Sequence, residues 1–223
     1  MYKKIFKRLI DIFLTLVVLI VLSPVLLIIC FILLCTGEHE IIYFQKRIGK
    51  DLKPFSIWKF TTMLKNSEKM GDGLLTVRED PRVLPFGKFL RKTKINEIPQ
   101  LINILIGDMS IVGPRPLIYD PYSEGIGKLI YSNKPGLTGI GSIIFRDEED
   151  LISKTKLNKK DFYDNYICPY KGELELWYKK NFSFQTDIKL IFCTAWVIFF
   201  PNSTLPRELF KDLPEYPDYL KIE

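Results

Sequence analysis

Between Ile12 and Cys35 the chain reads IFLTLVVLIVLSPVLLIICFILLC, without a single charge. A helix needs about 20 apolar residues to cross the hydrocarbon core of a bilayer, so length alone would allow a span. Ser23-Pro24 stands at the midpoint, where proline removes a backbone donor and crowds the preceding turn. Each half is then about 12 residues, roughly 18 Å of helix, short of a roughly 30 Å core. Both flanks are basic: Lys3, Lys4, Lys7 and Arg8 precede the run, and Lys46, Arg47 and Lys50 follow it. A spanning helix concentrates its positive charge on one side. Two topologies fit these residues. One is a proline-kinked transmembrane helix; the other enters the membrane, bends at Ser23-Pro24 and leaves by the same face, Ser23 bonding a carbonyl freed by the bend. A cleaved signal peptide does not fit, because no small-residue cleavage pattern precedes Gly37-Glu38-His39-Glu40. Asp11, at the edge of the run, is expected to pair with Lys7 or Arg8.

The remainder suits one domain with its own core, in a chain of 223 residues. A formal net charge of +6 is too small to indicate a nucleic-acid binder, and the basic clusters lack interleaved aromatics. An anionic membrane surface is the more economical partner for them. Cys30, Cys35, Cys168 and Cys193 form no CxxC pair, and His39 is the sole histidine, so neither a zinc site nor a disulfide framework is indicated. The soluble part is expected in a reducing cytoplasm.

Alternation over IIYFQKRIGKDLKPFSIWKFTTM predicts two short strands around a turn at Gly49-Lys50-Asp51. Lys65 to Asp80 reads as a loop. Phe86 to Lys94 and Ile98 to Ile106 carry apolar residues at helical spacing. Met109 to Pro116 should be irregular, and the Lys134–Gly139 turn should lead into an extended GSIIF. Leu151 to Asn181 reads as mostly helix broken at Pro169, and Leu190 to Phe200 as an apolar helix, either in the core or, as preferred, lying in the membrane interface. The expected class is α+β.

The chemistry concentrates in KTKINEIPQLINILIGDMSIVGPRP, Lys92 to Pro116. Asn96 is expected to cap a helix that starts at Glu97, and helix N-termini suit phosphate. Asn96 as a plain cap, with Glu97 complementing the helix dipole, is the structural alternative. Arg115, bracketed by Pro114 and Pro116, has few backbone options, and a rigid guanidinium favours bidentate phosphate recognition. Lys59, Arg82, Arg91, Arg146 and Asp187 are weaker candidates, each also readable as an ordinary surface charge. Asp147 to Asp150 is expected to be a solvated acidic loop.

Several blocks together resemble the bacterial sugar transferase family, the small monotopic phosphoglycosyl transferases. They are Lys7-Arg8 with Asp11, Ser23-Pro24, Lys59-Phe60-x-Thr62-Met63, Glu97-x-Pro99-Gln100-Leu101-x-Asn103, Gly107-Asp108-Met109-Ser110 and Gly113-Pro114-Arg115-Pro116. Pro135-Gly136-x-Thr138-Gly139 and Asp187 continue the match in order over nearly the whole chain. The resemblance implies a re-entrant helix-break-helix anchor over 1–36, with Ser23 and Pro24 as the break, and one cytoplasmic catalytic domain over 37–223 with amphipathic interfacial helices. It places the domain on the cytoplasmic side of the bacterial inner membrane.

It also implies an activity. The family moves a sugar phosphate from a UDP-sugar to polyprenyl phosphate, giving UMP and a polyprenyl diphosphate sugar, the first membrane step of glycoconjugate assembly. Lys59, Arg82, Arg91, Arg115, Arg146 and Asp187 become substrate-binding candidates, Glu97 a Mg²⁺ ligand, and Asn96-Glu97 the catalytic pair. A second copy of the chain and downstream glycosyltransferases are the expected protein partners. One departure stands out. The family's pair is Asp-Glu, with Asp as the nucleophile of a covalent phosphosugar intermediate, whereas a carboxamide such as Asn96 is a poor nucleophile and a weak Mg²⁺ ligand. The expectation is an active transferase that uses the pair differently. Its alternative is a disabled chain that binds nucleotide sugar or acts as a membrane scaffold.

Overall fold

The computed structural model describes residues 2–70, 79–122, 125–201 and 203–220. A π-type turn at Tyr2–Phe6 leads into helix α1, Lys7–Cys35. At 1.5 Å per residue, 29 residues make a rod of about 43 Å, long and apolar enough to cross a membrane. The expected break does not interrupt the helix, which continues through Pro24. The reason is local. Proline at 24 leaves the carbonyl of Ile20 without its usual amide partner, and the Ser23 hydroxyl donates to that oxygen at 2.8 Å.

Both ends of α1 dock on the same body of the protein. Near the start, Lys7 pairs with Asp187 at 2.6 Å, and the Arg8 guanidinium donates to the carbonyls of Ile104 and Leu105. Asp11 accepts from Ser110 Oγ at 2.8 Å and the Ile111 amide at 3.1 Å. The expected Asp11 pairing with Lys7 or Arg8 is therefore replaced by contacts far along the chain, which satisfy a buried carboxylate better than neighbours one turn away. At the other end Ile29 and Leu33 are buried against Phe60 and Leu90. Between these anchors Phe13, Ile20, Val21, Leu27 and Phe31 stay exposed.

Strands β1 (Ile42–Ile48) and β2 (Pro54–Phe60) form the expected antiparallel hairpin, with Tyr43 opposite Lys59 and Arg47 opposite Phe55. Asp51 and Leu52 take positive φ in its turn. Helix α2 (Pro85–Lys92) opens on a proline, which suits the first turn, where an amide would lack a partner anyway. Residues Ile95–Glu97 make a single 3₁₀ turn, and α3 (Gln100–Ile106) begins only after Pro99. Asn96 thus caps nothing. Strand β3 (Ser110–Val112) lies in the stretch expected to be irregular. It pairs in parallel with β4 (Gly136–Thr138), and between them α4 (Ile126–Ile130) completes the crossover.

GSIIF is helical rather than extended, forming most of α5 (Ile140–Ile144). Its apolar side chains face the main core, Ile140 and Ile143 being buried there, and three-residue spacing on a helix achieves this. Helices α6 (Glu148–Lys154) and α7 (Lys159–Phe162) follow, then a π-type turn to Ile167 and α8 (Cys168–Lys180). The break falls at Thr155–Asn158, where Asn158 caps α7, and not at Pro169, which occupies the tolerated first turn of α8. Helix α9 (Phe184–Phe199) buries Leu190, Cys193 and Val197 while Phe192, Ile198 and Phe199 remain exposed, and α10 (Leu205–Leu209) packs against it. The main core is built from α5, α8 and α9 with Val112 of β3. The four cysteines are free. Part of the loop expected over Lys65 to Asp80, residues 71–78, lies outside the described residues.

Candidate active site

An open cleft of about 1880 Å³ lies between the hairpin, the 3₁₀ turn at Asn96-Glu97, the Arg115 loop and α6. Its chemistry starts with strand alternation. Successive residues of a strand point to opposite faces, and opposed residues of a pair share one. Tyr43, Gln45 and Arg47 therefore share a face with Lys59, and all four line the cleft.

Glu97 is the focus. Its Oε1 accepts from Arg115 Nη2 at 2.8 Å and lies 3.5 Å from Lys59 Nζ. Burial opposes its ionisation, but Arg115 and then Lys59 outweigh that cost and hold the carboxyl well below the usual range. Lys59 moves the other way: its side chain is 16% exposed, and desolvation brings the ammonium down to about 7. Glu97 opposes that shift, while Arg47, Arg115 and Arg91 add to it. Arg47 is lowered to about 10, by burial first and by Arg115 next. Its Nε and Nη2 donate to Gln45 Oε1 at 3.0 and 2.5 Å, and Nη1 reaches the Pro116 carbonyl at 3.3 Å. Arg115 and Lys59 thus flank one carboxylate, and Arg47 adds to the positive field of the same strand face. Such a surplus, held in place by neighbouring groups, is an arrangement for an incoming polyanion.

Asn96 is 6% exposed, and its Oδ1 has no hydrogen-bond partner among the described residues. Thr61, 7% exposed and also on the cleft, has a partnerless hydroxyl. Buried polar atoms are normally satisfied, and the described residues supply neither oxygen with a partner. For a hard cation the cleft offers the Glu97 carboxylate, whose Oε1 is engaged by Arg115 and Lys59, and the neutral amide oxygen of Asn96, a weaker ligand without a partner among the described residues. No cluster of three or more His, Cys, Asp or Glu occurs among the described residues, so a Mg²⁺ ion here would take its remaining ligands from phosphate and water.

Of the candidates named from sequence, Lys59, Arg91, Asn96, Glu97, Arg115 and Arg146 all line the cleft. Two do not. Arg82 donates from Nε and Nη2 to the Asp80 carboxylate and from Nη1 to the carbonyls of Ser67 and Met70, bracing the loop before α2. Asp187, near the start of α9, accepts from Lys7 at 2.6 Å, Tyr2 at 2.6 Å and Tyr178 at 2.7 Å, tying the N-terminal helix to the core. The acidic run is not freely solvated. Glu149 binds Arg91 at 2.5 Å, and Glu148 binds Lys171 at 2.6 Å, both at the cleft. Sequence reasoning missed Arg47 and Lys171. The period-2 face that carries Lys59 could have found Arg47; Lys171, inside a helix, offered no local signal.

The model of the family described as "Bacterial sugar transferase" matches residues 2–201. A UDP-glucose:undecaprenyl-phosphate glucose-1-phosphate transferase of Klebsiella pneumoniae is 36% identical over 89% of this chain and 41% of its own length. An undecaprenyl-phosphate galactose phosphotransferase of Salmonella typhimurium is 32% identical over 86% of this chain and 40% of its length. The chain thus spans about two fifths of these relatives. It is also similar to the exopolysaccharide production protein PSS of Rhizobium leguminosarum, at 30% identity over 85% of this chain and 92% of that protein. The chain belongs to the bacterial sugar transferase family.

Proposed function

We propose that the chain transfers a sugar phosphate from a UDP-sugar to polyprenyl phosphate, releasing UMP and leaving a polyprenyl diphosphate sugar in the membrane. The observation that carries this reading is the pairing of Lys59 and Arg115 with Glu97, with Arg47 on the same strand face, in a cleft whose size admits a nucleotide diphosphate. The relatives named for UDP-glucose, galactose phosphate and undecaprenyl phosphate support the two substrates.

The reaction runs as one displacement. An oxygen of polyprenyl phosphate attacks the β-phosphorus of the UDP-sugar, and the bond to the bridging oxygen breaks. UMP leaves with that electron pair. No proton must move, because the nucleophile is already an anion. Arg115 and Lys59 stabilise the charge on the transferring phosphoryl group, and Arg47 adds to the same field. Glu97 orients Arg115, and Glu97 with the Asn96 amide oxygen would be the protein groups available to hold a Mg²⁺ ion. Bound Mg²⁺ supplies neutralisation of the diphosphate charge.

The anchor lies in the inner membrane with the domain on the cytoplasmic side. Both ends of α1 dock on that domain while its middle stays apolar and exposed, which favours re-entry over a span that would part the ends. The exposed side of α9, with Phe192, Ile198 and Phe199, rests in the interface. The test is incubation with a panel of UDP-sugars, polyprenyl phosphate and Mg²⁺, following UMP. Release with one or two sugars supports the transferase. Binding of UDP-sugar without UMP from any of them would make the chain a disabled scaffold.

A further inference from the structure

Gly107 ends α3 at φ +107, a conformation that favours glycine, and its missing side chain leaves a space between two cations. A Cβ built there would stand 3.4 Å from Lys134 Nζ and 3.5 Å from Arg8 Nη2, its nearest neighbours from elsewhere in the fold. Arg8 is held in place by its bonds to the Ile104 and Leu105 carbonyls, which use two of its five N–H groups. Lys134 Nζ has no hydrogen bond or ion pair among the described residues. Burial first, and Arg8 next, hold the Lys134 ammonium below its ordinary value. Asp11 and Asp108 oppose that shift without forming an ion pair, and Asp11 is already engaged by Ser110 and the Ile111 amide. Two like charges thus face one space, and no carboxylate among the described residues joins them.

The margin of this cradle is apolar. Ile106, which precedes Gly107, is 62% exposed, and Leu9, which follows Arg8, is 56% exposed. Arg8 stands in the first turn of the long apolar helix α1, so the cradle borders the surface assigned to the membrane. A free phosphate ion gains nothing from the apolar margin, whereas a phospholipid uses both the cations and the margin. We propose that Arg8, Lys134 and Gly107 form a binding site for the phosphate group of an anionic phospholipid, whose acyl chains lie along Leu9 and Ile106. The fixed guanidinium offers planar donors to the phosphate oxygens, and the ammonium adds a point charge from the opposite side. None of the three residues lines the cleft, so the site is separate from the one that handles the nucleotide. One lipid bound here ties the start of α1 and the end of α3 to the loop before β4.

The experiment follows the melting temperature of the full chain in maltoside detergent, titrated with phosphatidylglycerol, phosphatidylcholine or inorganic phosphate. A ligand of the folded chain raises this temperature, and the concentration giving half the rise reports its affinity. Phosphatidylglycerol should raise it in the wild type, with phosphatidylcholine and inorganic phosphate needing far higher concentrations. Lys134→Gln should shift the phosphatidylglycerol half-point by about tenfold or more, beyond the roughly fivefold that one basic residue supplies at a diffuse anionic surface. Lys50→Gln removes a nearby exposed cation and should shift it by no more than that diffuse effect. Lys134→Arg should keep it near the wild-type value. Equal shifts in Lys134→Gln and Lys50→Gln would mean diffuse attraction and overturn the site. A rise with inorganic phosphate at the concentrations effective for the lipid would assign the cradle to free phosphate and overturn the lipid. No rise with phosphatidylglycerol in the wild type would overturn both. These readouts do not depend on UMP release, so they decide the site whether or not the chain proves to be a transferase.

Discussion

The guanidinium of Arg115 and the carboxylate of Glu97 meet at 2.8 Å on the wall of the cleft, and each changes the other's chemistry. Glu97 holds Arg115 firmly cationic, and Arg115 is the first group to offset the burial of Glu97. Arg115→Ala should therefore cost about 2–4 kcal/mol of transition-state stabilisation, the scale of one preorganised charge contact, seen as a 30- to 1000-fold fall in kcat/KM, roughly. Arg115→Lys should recover little of it, because an ammonium cannot bridge Glu97 and a phosphate oxygen through a planar fork. Near-normal turnover in the lysine variant would show that a point charge suffices there.

Lys59 sets a pH limit. Its ammonium falls to about 7 in the empty cleft, against an ordinary value near 10.5. Between those values the unfolded chain holds a proton that the folded chain lacks, so this group makes the empty fold more stable as pH rises through that window. A bound diphosphate reverses the field and restores the proton. UDP-sugar affinity should then fall as pH rises above about 7, with proton uptake on binding. Calorimetry in buffers of different ionisation enthalpy measures that uptake directly. Lys59→Arg should flatten both effects; an unchanged pH profile in that variant would assign the dependence to another group.

The membrane anchor makes a separate prediction. In a cysteine-free background, labels at Ile5→Cys and Glu40→Cys should both react only from the cytoplasmic side of inverted and right-side-out vesicles. Labelling from opposite sides would establish a span. Replacing Ser23 and Pro24 together by alanine restores an amide to the Ile20 carbonyl and removes the proline at which the proposed re-entrant helix would have to bend. That variant should shift toward opposite-side labelling.

Much of this was legible before any coordinates. The hairpin followed from alternation, and the cleft residues Asn96, Glu97 and Arg115 from a short block of unusual composition, Lys59 being named only as a weaker candidate outside it. What escaped had physical reasons. Arg82 and Asp187 read as ligand-binding charges, yet each is satisfied by partners that only the tertiary fold supplies, Asp80 for one and Lys7 for the other. The GSIIF stretch is β-rich in composition, and packing against α8 and α9 overrode that preference. The acidic run looked solvated because nothing local shows that Arg91 and Lys171 stand opposite it.

Asn96 carries the last prediction. Its amide is a poor nucleophile, and its neighbour Glu97 is already engaged by Arg115 and Lys59, which lowers the basicity a nucleophile needs. Direct attack by polyprenyl phosphate then requires both substrates to be bound together and inverts the configuration at phosphorus. Glu97→Gln should abolish turnover, since it releases Arg115 and removes the charged oxygen ligand. Asn96→Asp should be neutral or should open a two-step route through the new carboxylate. Intact-protein mass spectrometry after mixing with UDP-sugar and Mg²⁺ alone separates these routes. The wild type should show no mass increase and no UMP until polyprenyl phosphate is added. An increase equal to one phosphosugar would refute the direct route and identify Glu97 as the nucleophile. If only Asn96→Asp turns over, the wild-type chain is a disabled form whose intact cation cleft binds nucleotide sugar without transferring it.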